Sequence, residues 1–174
     1  MAHPEQRVFF ESVRDKFPSM FSNVKVLEVG SLDINGSVRD FFTDCYYIGV
    51  DLNEGPGVDV ISLGEDLDYP DRSFTTVISA ECFEHNPKWL ETFVNMHRMS
   101  DSLVAFTCAT DGRPEHGTIQ TSPLDSPFTL EWNYYRNLTE DDFIDSLDLG
   151  QMFSKHKFMV NSSSHDLYFW GIVR

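Results

Sequence analysis

Basic residues are scarce in this sequence: 13 Lys and Arg stand against 28 Asp and Glu, which gives a net charge of −15 at pH 7. Nucleic-acid binding draws on phosphate neutralisation by Lys and Arg, and no basic stripe is visible along the chain. The balance disfavours DNA or RNA as a substrate and favours a small molecule or an exposed group on a larger partner. An acidic surface is also an ordinary means of staying soluble, so charge alone selects no function.

Long apolar runs and paired cysteines are missing as well. No window holds the ~18 uncharged apolar residues of a membrane span, and the first residues lack the basic-then-apolar order of a signal peptide. The three cysteines form no Cys-x-x-Cys pair, so neither a disulfide framework nor a zinc ribbon is indicated. We therefore expect a cytoplasmic protein with no membrane partner, folded as a single domain over residues 1–174.

Strand-like and helix-like segments alternate along most of the chain. An N-terminal helical segment within residues 1–22 comes first, and the spacing of Val38, Phe41, Phe42 and Cys45 predicts a further helix. Predicted strands are residues 24–30, 46–51, 58–61, 74–80, 103–108, 153–160 and 167–173. This order predicts an α/β fold, a Rossmann-like three-layer sandwich with a mostly parallel seven-stranded sheet and an antiparallel C-terminal hairpin.

Glycine and aspartate stand at the ends of the first two predicted strands. Gly30 allows a ligand to approach the backbone closely, at the sheet edge where open α/β folds bind ligands. Asp51 follows 21 residues later, close to the spacing at which an acid reaches ribose hydroxyls. The glycine alone is equally typical of an ordinary strand-to-helix turn. Together the two residues favour a nucleotide-type ligand.

Four segments in order carry a resemblance to a known family. They are Val26–Gly30 (VLEVG), Tyr47–Asp51 (YIGVD), Gly64–Phe74 (GEDLDYPDRSF) and Glu81–His85 (ECFEH). Over residues 24–108 the chain resembles the class I S-adenosylmethionine-dependent methyltransferases with a methyltransferase-11-like domain. One departure is the glycine loop, because the family's Gly-x-Gly-x-Gly is replaced by Gly30-Ser-Leu, with the next glycine only at Gly36.

The resemblance implies S-adenosylmethionine as cofactor and S-adenosylhomocysteine as product. Glu28 and Gly30 would shape the methionine end, Asp51 would accept from the ribose, and Leu52 would pack on adenine. The full set of implied cofactor residues is Glu28, Gly30, Ser31, Asp51, Leu52, Gly64, Glu65, Asp66, Ser79, Ala80 and Glu81. Carboxylates suit a cofactor with an ammonium, a sulfonium and diol donors, and they disfavour a dinucleotide, whose pyrophosphate prefers glycines and helix N-termini.

Candidate catalytic residues are His116 and His85, since an oxygen or nitrogen nucleophile often needs a general base. For His85 a structural role in the turn is the more frequent alternative, and for His116 it is a solvated loop histidine. The long segment 110–138 is predicted to face the substrate, with candidate substrate residues Arg113, Glu115, Trp132 and Tyr135. Arg113 has two candidate partners, an acidic substrate or Glu115, and the aromatic residues alternatively pin the loop.

No metal site is predicted, because Glu84 next to His85 is too little for one. The sequence therefore predicts a methyltransferase acting on an oxygen or nitrogen acceptor of a small molecule or glycan. Two alternatives stay open: a protein that binds the cofactor for other chemistry, and a degenerate interaction domain that has lost the ligand. The chain is expected to be a monomer or a homodimer formed through its aromatic-rich terminal hairpin.

Overall fold

The computed structural model describes residues 3–174, in which a single mixed sheet organises the chain. Its strands are β1 (Lys25–Val29), β2 (Tyr46–Asp51), β3 (Val60–Ile61), β4 (Phe74–Ala80), β5 (Ser100–Ala109), β6 (Phe153–Asn161) and β7 (Asp166–Val173). The α-helices are α1 (Pro4–Lys16), α2 (Trp89–Met99), α3 (Glu140–Ile144) and α4 (Leu149–Met152). No helix in residues 3–174 has the length and apolar character needed to cross a membrane.

The strand order is β3-β2-β1-β4-β5-β7-β6, and the sheet is parallel from β3 to β5. Strand β7 runs antiparallel to both β5 and β6, so the terminal hairpin completes one side of the sheet. The predicted fold class, with its seven strands and antiparallel C-terminal hairpin, is confirmed. The carboxyl ends of β1, β2 and β4 meet at one edge, because parallel neighbours end on the same side.

Apolar side chains cover both faces of the sheet and so make three layers. Helix α1 places Phe9, Phe10 and Val13 against one face. Helix α2 and the short helices α3 and α4 cover the other face with an aromatic-rich cluster, which includes Phe93, Phe106, Phe143, Phe153 and Phe169. Strands β5 and β7 contribute to this second cluster and are buried along most of their length.

The helix predicted after β1 is wrong: only a 3₁₀ turn, Arg39–Phe41, forms there. The segment around Thr43 instead hydrogen-bonds to the earlier segment around Phe21. The Thr43 amide donates to the Phe21 carbonyl and the Asn23 amide donates to the Thr43 carbonyl, both at 2.9 Å. The ring of Phe42 stacks on that of Phe21 with centroids 4.5 Å apart. The apolar side chains whose spacing suggested a helix are thus buried by tertiary packing instead.

The N-terminal helical segment has different limits from those predicted. Helix α1 ends at Lys16 and is followed by a 3₁₀ turn at Pro18–Met20, whereas residues 1 and 2 of the predicted helical segment lie outside the described part. Residues 110–138 form an irregular connection with one 3₁₀ turn, Pro123–Asp125. This connection passes over the edge where β1, β2 and β4 end, and its residues contribute to the pocket described next.

Candidate active site

A pocket opens at the carboxyl ends of β1, β2 and β4, with about 670 Å³ of empty space including its open mouth. Two further groups of lining residues come from the turns after β3 and β4 and from the long connection. The lining consists of Val29, Gly30, Leu32, Ile34, Val50, Asp51, Leu52, Ser62, Leu63, Gly64, Glu65, Glu81, Cys82, His85, Asn86, residues 125–129 and Trp132. Of the predicted cofactor residues, Gly30, Asp51, Leu52, Gly64, Glu65 and Glu81 line this pocket.

Gly30 is required by the close approach of two loops. Its φ is +79°, and a Cβ built on it would lie 2.6 Å from the Cys82 Cβ, so any side chain would collide. Its amide donates to the Val50 carbonyl at 2.8 Å. The next residue, Ser31, does not line the pocket: it is buried behind the loop, against Gly49 and Gly57. The backbone therefore forms this wall of the pocket.

Asp51 supports the altered glycine loop from below. Its Oδ2 accepts from the Leu32 amide at 2.9 Å and its Oδ1 accepts from the Leu52 amide at 2.7 Å. Burial raises the pKa of the carboxyl, while these two amides lower it. Each carboxylate oxygen has a second lone pair, so Asp51 retains acceptor capacity toward a ligand.

Glu28 lies deeper than predicted and does not line the pocket. It is 4% exposed, and its Oε2 accepts from the Tyr47 hydroxyl at 2.7 Å. Burial raises the pKa of Glu28 to about 7, and the Tyr47 hydrogen bond opposes the rise. Ser79 and Ala80 are likewise buried within β4 below the pocket floor, and Asp66 is exposed outside it.

Glu65 lines the pocket next to helix α2. Its Oε2 accepts from the Thr92 hydroxyl at 3.1 Å, and its Oε1 lies 3.6 Å from the Lys88 ammonium. Gly64 allows this contact because a Cβ there would lie 2.6 Å from the Thr92 methyl. These contacts hold the Glu65 side chain against the helix at the pocket wall.

Glu81, the residue after β4, is the most unusual lining side chain. Its φ is +52°, an uncommon conformation for a residue with a side chain, and its amide donates to the Thr107 carbonyl at 2.9 Å. The residue is 5% exposed, yet neither carboxylate oxygen has a hydrogen-bond partner. Burial first, and then the charge of Glu84, raise its pKa well above the ordinary value. Backbone strain beside an unpaired buried charge is characteristic of functional sites.

A cluster of Glu84, His85 and His116 adjoins this residue. The first two lie on a 3₁₀ turn, Phe83–His85, and His116 comes from the long connection 31 residues further on. The two imidazole centroids are 5.0 Å apart, and one donor atom from each of the three side chains lies within 4.8 Å of the others. Tyr135 packs on both rings, at 5.5 Å from His85 and 4.9 Å from His116.

The buried members of the cluster lack hydrogen-bond partners. Glu84 is fully buried and His85 is 3% exposed, and neither carboxylate oxygen nor either ring nitrogen makes a hydrogen bond. Burial lowers the pKa of His85 to about 3, with His116 adding to the effect, so His85 is a neutral imidazole. Burial raises the pKa of Glu84, and His116 opposes this rise. The backbone amide of Ala109 also lowers the pKa of Glu84, although it is not placed to form a regular hydrogen bond with the carboxylate.

The residue after His116 explains how the connection comes so close. Gly117 has φ +65°, and a Cβ on it would lie 2.7 Å from His85 Cε1. His116 Nδ1 lies 3.2 Å from the Pro114 carbonyl, which also accepts from the Tyr135 hydroxyl at 3.3 Å. One ring nitrogen of His116 is thereby engaged by the backbone, and Nε2 is left for other partners.

The predicted substrate residues separate into different places. Arg113 donates to Asp166 Oδ1 at 2.9 Å and to the Ser164 carbonyl at 2.7 Å, a partner that the sequence did not suggest. Glu115 is exposed and accepts from the Thr118 hydroxyl at 2.7 Å. Trp132 lines the pocket, and Tyr135 belongs to the histidine cluster.

Sequence reasoning did not single out several lining residues, among them Cys82 and residues 125–129. Burial raises the pKa of the Cys82 thiol to about 12, so it is a neutral apolar wall rather than a nucleophile. The unusual length of the 110–138 connection was the one signal that pointed to residues 125–129. It could not indicate which of those residues reach the pocket.

The sequence matches no protein-family model, and comparison with curated proteins gives no match. Solved structures share the fold. Magnesium protoporphyrin IX methyltransferase from Synechocystis, solved with bound S-adenosylmethionine, has 12% identity and a TM-score of 0.62 over 97% of this chain and 79% of that one. A Burkholderia thailandensis 1,6-didemethyltoxoflavin-N1-methyltransferase solved with S-adenosylhomocysteine has 16% identity and a TM-score of 0.57, over 99% of this chain and 91% of that one.

A putative methyltransferase from Bacillus halodurans gives 12% identity and a TM-score of 0.59, over 92% of this chain and 98% of that one. At such low identity these likenesses are evidence of shared architecture, because one fold hosts many functions. The chain has the Rossmann-like α/β fold that these methyltransferases share.

Proposed function

We propose that this protein binds S-adenosylmethionine in the pocket and transfers its methyl group to an oxygen or nitrogen acceptor of a small molecule or glycan. The pocket chemistry supports this most directly. Its acidic and histidine side chains are Asp51, Glu65, Glu81, Asp125 and His85, with no Lys or Arg among the described lining residues. An acidic pocket at the carboxyl ends of parallel strands suits a cationic ligand with diol donors and disfavours a phosphate-bearing one.

The individual carboxylates fit parts of such a ligand. Asp51 stands at the end of β2 with free lone pairs, as a partner for ribose hydroxyls needs. Glu81 is buried with both oxygens unpartnered, and a cation or hydrogen-bond donor in the pocket would relieve that cost. Leu32, Leu52 and Leu63 supply apolar walls, as adenine-sized ligands require.

When bound, the cofactor would supply a methyl carbon that the acceptor attacks in line, while the electron pair of the broken carbon–sulfur bond returns to sulfur. The protein's part is to align donor and acceptor and to exclude water. Residues 125–129 and Trp132 cover the pocket from the side of the long connection. His116 stands next to His85 at its edge as the candidate acceptor of the proton that the nucleophile loses, whereas the lowered pKa of His85, about 3, makes that imidazole a weak base.

A small acceptor is proposed because the sequence, with 13 Lys and Arg against 28 Asp and Glu, has no basic stripe suited to nucleic acid. Two of the structural neighbours have names that denote methyl transfer to small molecules, a porphyrin and a toxoflavin precursor. Arg113 is not proposed to contact the acceptor, because its guanidinium forms an ion pair with the buried Asp166.

Calorimetry with S-adenosylmethionine and S-adenosylhomocysteine tests the proposal. The native chain should bind both, and Asp51→Ala should lose about tenfold or more in affinity, since it removes a charged acceptor worth ~1.5 kcal/mol or more. Asp101→Asn, an exposed acid at the start of β5, is the matched control and should bind as the native chain does.

No binding of either compound by the folded native chain would reject the proposed function and favour the interaction-domain alternative. Binding without methyl transfer to any of a panel of hydroxylated and amine acceptors would favour the alternative of other chemistry in the same pocket. Equal binding by the native chain and Asp51→Ala would place the cofactor elsewhere.

A further inference from the structure

We propose that Glu84, His85 and His116 form a binding site for one divalent transition-metal ion of the Zn²⁺, Co²⁺ or Mn²⁺ type at the edge of the pocket. The sequence alone did not predict this site, because its third ligand is supplied by the fold. Binding of the ion does not depend on the proposed methyltransferase function, since all three ligands belong to the protein itself.

The geometry of the three side chains supports the assignment. One donor atom from each lies within 4.8 Å of the others. Around a tetrahedral metal with bonds of about 2.0–2.2 Å, ligand atoms are about 3.4 Å apart, so the three side chains would have to approach one another by about 1 Å to hold the ion. His116 is half-buried on an irregular connection, whereas Glu84 and His85 are fixed on a buried turn.

Unsatisfied polar atoms provide independent support. Neither oxygen of Glu84 and neither nitrogen of His85 has a hydrogen-bond partner, although both residues are at least nine-tenths buried. Buried polar groups without partners are rare in folded proteins and point to a missing ion or water. The carboxylate of Glu81 is buried and unpartnered as well, and it senses the charge of Glu84. A divalent ion would give the Glu84 carboxylate and one ring nitrogen of His85 a partner, and its positive charge would lie close to Glu81.

The surroundings of His116 resemble the outer shell of a metal site. Ligating histidines almost always have their second ring nitrogen hydrogen-bonded to a carboxylate, water or backbone carbonyl. His116 Nδ1 lies 3.2 Å from the Pro114 carbonyl, which orients Nε2 as the ligand atom. Tyr135 anchors the same carbonyl through its hydroxyl and packs on both imidazoles.

The donor set selects the class of ion. Two imidazole nitrogens and a carboxylate suit Zn²⁺, Co²⁺, Fe²⁺ or Mn²⁺, whereas Mg²⁺ prefers oxygen ligands and keeps its waters. Three protein ligands leave coordination positions open, as in catalytic metal sites. Because His85 also lines the pocket, an ion held by these residues would lie at the pocket's edge. If the proposed function holds, the ion would bind an acceptor oxygen there.

Metal binding should be measured on the full chain without a polyhistidine tag and without any methyl donor. We expect calorimetry to give one Co²⁺ or Zn²⁺ per chain, and the Co²⁺ protein to show visible absorption bands of nitrogen and oxygen coordination. Mg²⁺ should bind at least tenfold more weakly. Glu84→Gln and His116→Gln should each weaken Co²⁺ binding more than about tenfold.

His156→Gln is the matched control, because His156 lies exposed on β6, away from the cluster. It should retain native stoichiometry and absorption. His116→Gln changes a half-buried loop residue, and circular dichroism should show that it folds normally. The proposal is overturned if the folded native chain binds neither ion, or if the two ligand variants bind as tightly as His156→Gln does. Because no methyl donor is present, failure of S-adenosylmethionine binding would not affect this result.

Discussion

Two groups of buried carboxylates lie at the edge of the sheet where its parallel strands end, and they differ in their hydrogen-bond partners. Asp166, at the start of β7, is fully buried and accepts from Arg113 at 2.9 Å and from Gln6 at 2.7 Å. Glu81 and Glu84, which follow β4 on the other side of β5, are similarly buried, and their carboxylates have no hydrogen-bond partner. Removing the partner of a buried paired charge destabilises the fold, whereas a buried carboxylate that already lacks a partner costs stability and is available for a ligand.

Glu28 falls between these two cases, because it has one neutral partner, the Tyr47 hydroxyl. The three situations form a series from a charged partner, to a single hydroxyl, to none. The series tests whether the sheet edge is divided into a structural side near β7 and a ligand-binding side near β4. Substitutions that remove a charge should have opposite effects on the two sides.

The largest effect is expected for Arg113→Gln, which leaves the buried Asp166 without its cation. We expect the free energy of unfolding, measured in urea, to fall by about 3 kcal/mol. Arg14→Gln, which breaks an exposed pair with Glu11 on helix α1, should change it very little. If Arg113→Gln is as stable as the native chain, Arg113 is not structural, and its assignment as a substrate residue would return.

A pH-dependent effect of similar or smaller size is expected from Glu28. Because the folded chain raises its pKa from 4.5 to about 7, folding holds the proton more tightly than the unfolded chain does. Neutral Glu28 thus contributes stability that is complete below about pH 4.5 and is lost as the pH rises through 7. The two pKa values correspond to a change on the order of 3 kcal/mol.

Urea unfolding of the native chain and of Glu28→Gln from about pH 5 to pH 8 measures this loss. The native chain should lose stability relative to Glu28→Gln over that range. Tyr47→Phe should move the loss to higher pH, because the Tyr47 hydroxyl favours the charged carboxylate. Parallel pH curves for native chain and Glu28→Gln would show that the carboxyl titrates normally.

The smallest effect, and one of opposite sign to that of Arg113→Gln, is expected for Glu84→Gln. In metal-free protein at about pH 8, this variant should be more stable by about 1 kcal/mol, since an amide is less costly to bury than an unpaired carboxylate. Such a gain at the expense of binding is the usual trade-off at functional sites. Thermal unfolding of both proteins after dialysis against a chelator measures it, and a loss of stability would argue that Glu84 is structural.

Local sequence patterns predicted the sheet well because they depend on short-range physics. Alternation of β-branched runs with turn residues indicated all seven strands, and β1, β2 and β4 end within one residue of their predicted limits. The helix after β1 could not be excluded in this way. Its apolar spacing was satisfied by packing of Phe42 on Phe21, a contact between segments 21 residues apart.

The amino-acid sequence by itself determined the fold class, the acidic character of the chain and the placement of Gly30 and Asp51 at strand ends, because periodicity and turn chemistry are local. Only the tertiary structure decided which polar groups found partners. It paired Arg113 with Asp166, left the carboxylates of Glu81 and Glu84 without hydrogen bonds, and brought His116 to His85 through the tight backbone at Gly117. Pairing of this kind depends on contacts between distant segments, and it is these contacts that separate the structural from the candidate functional charges.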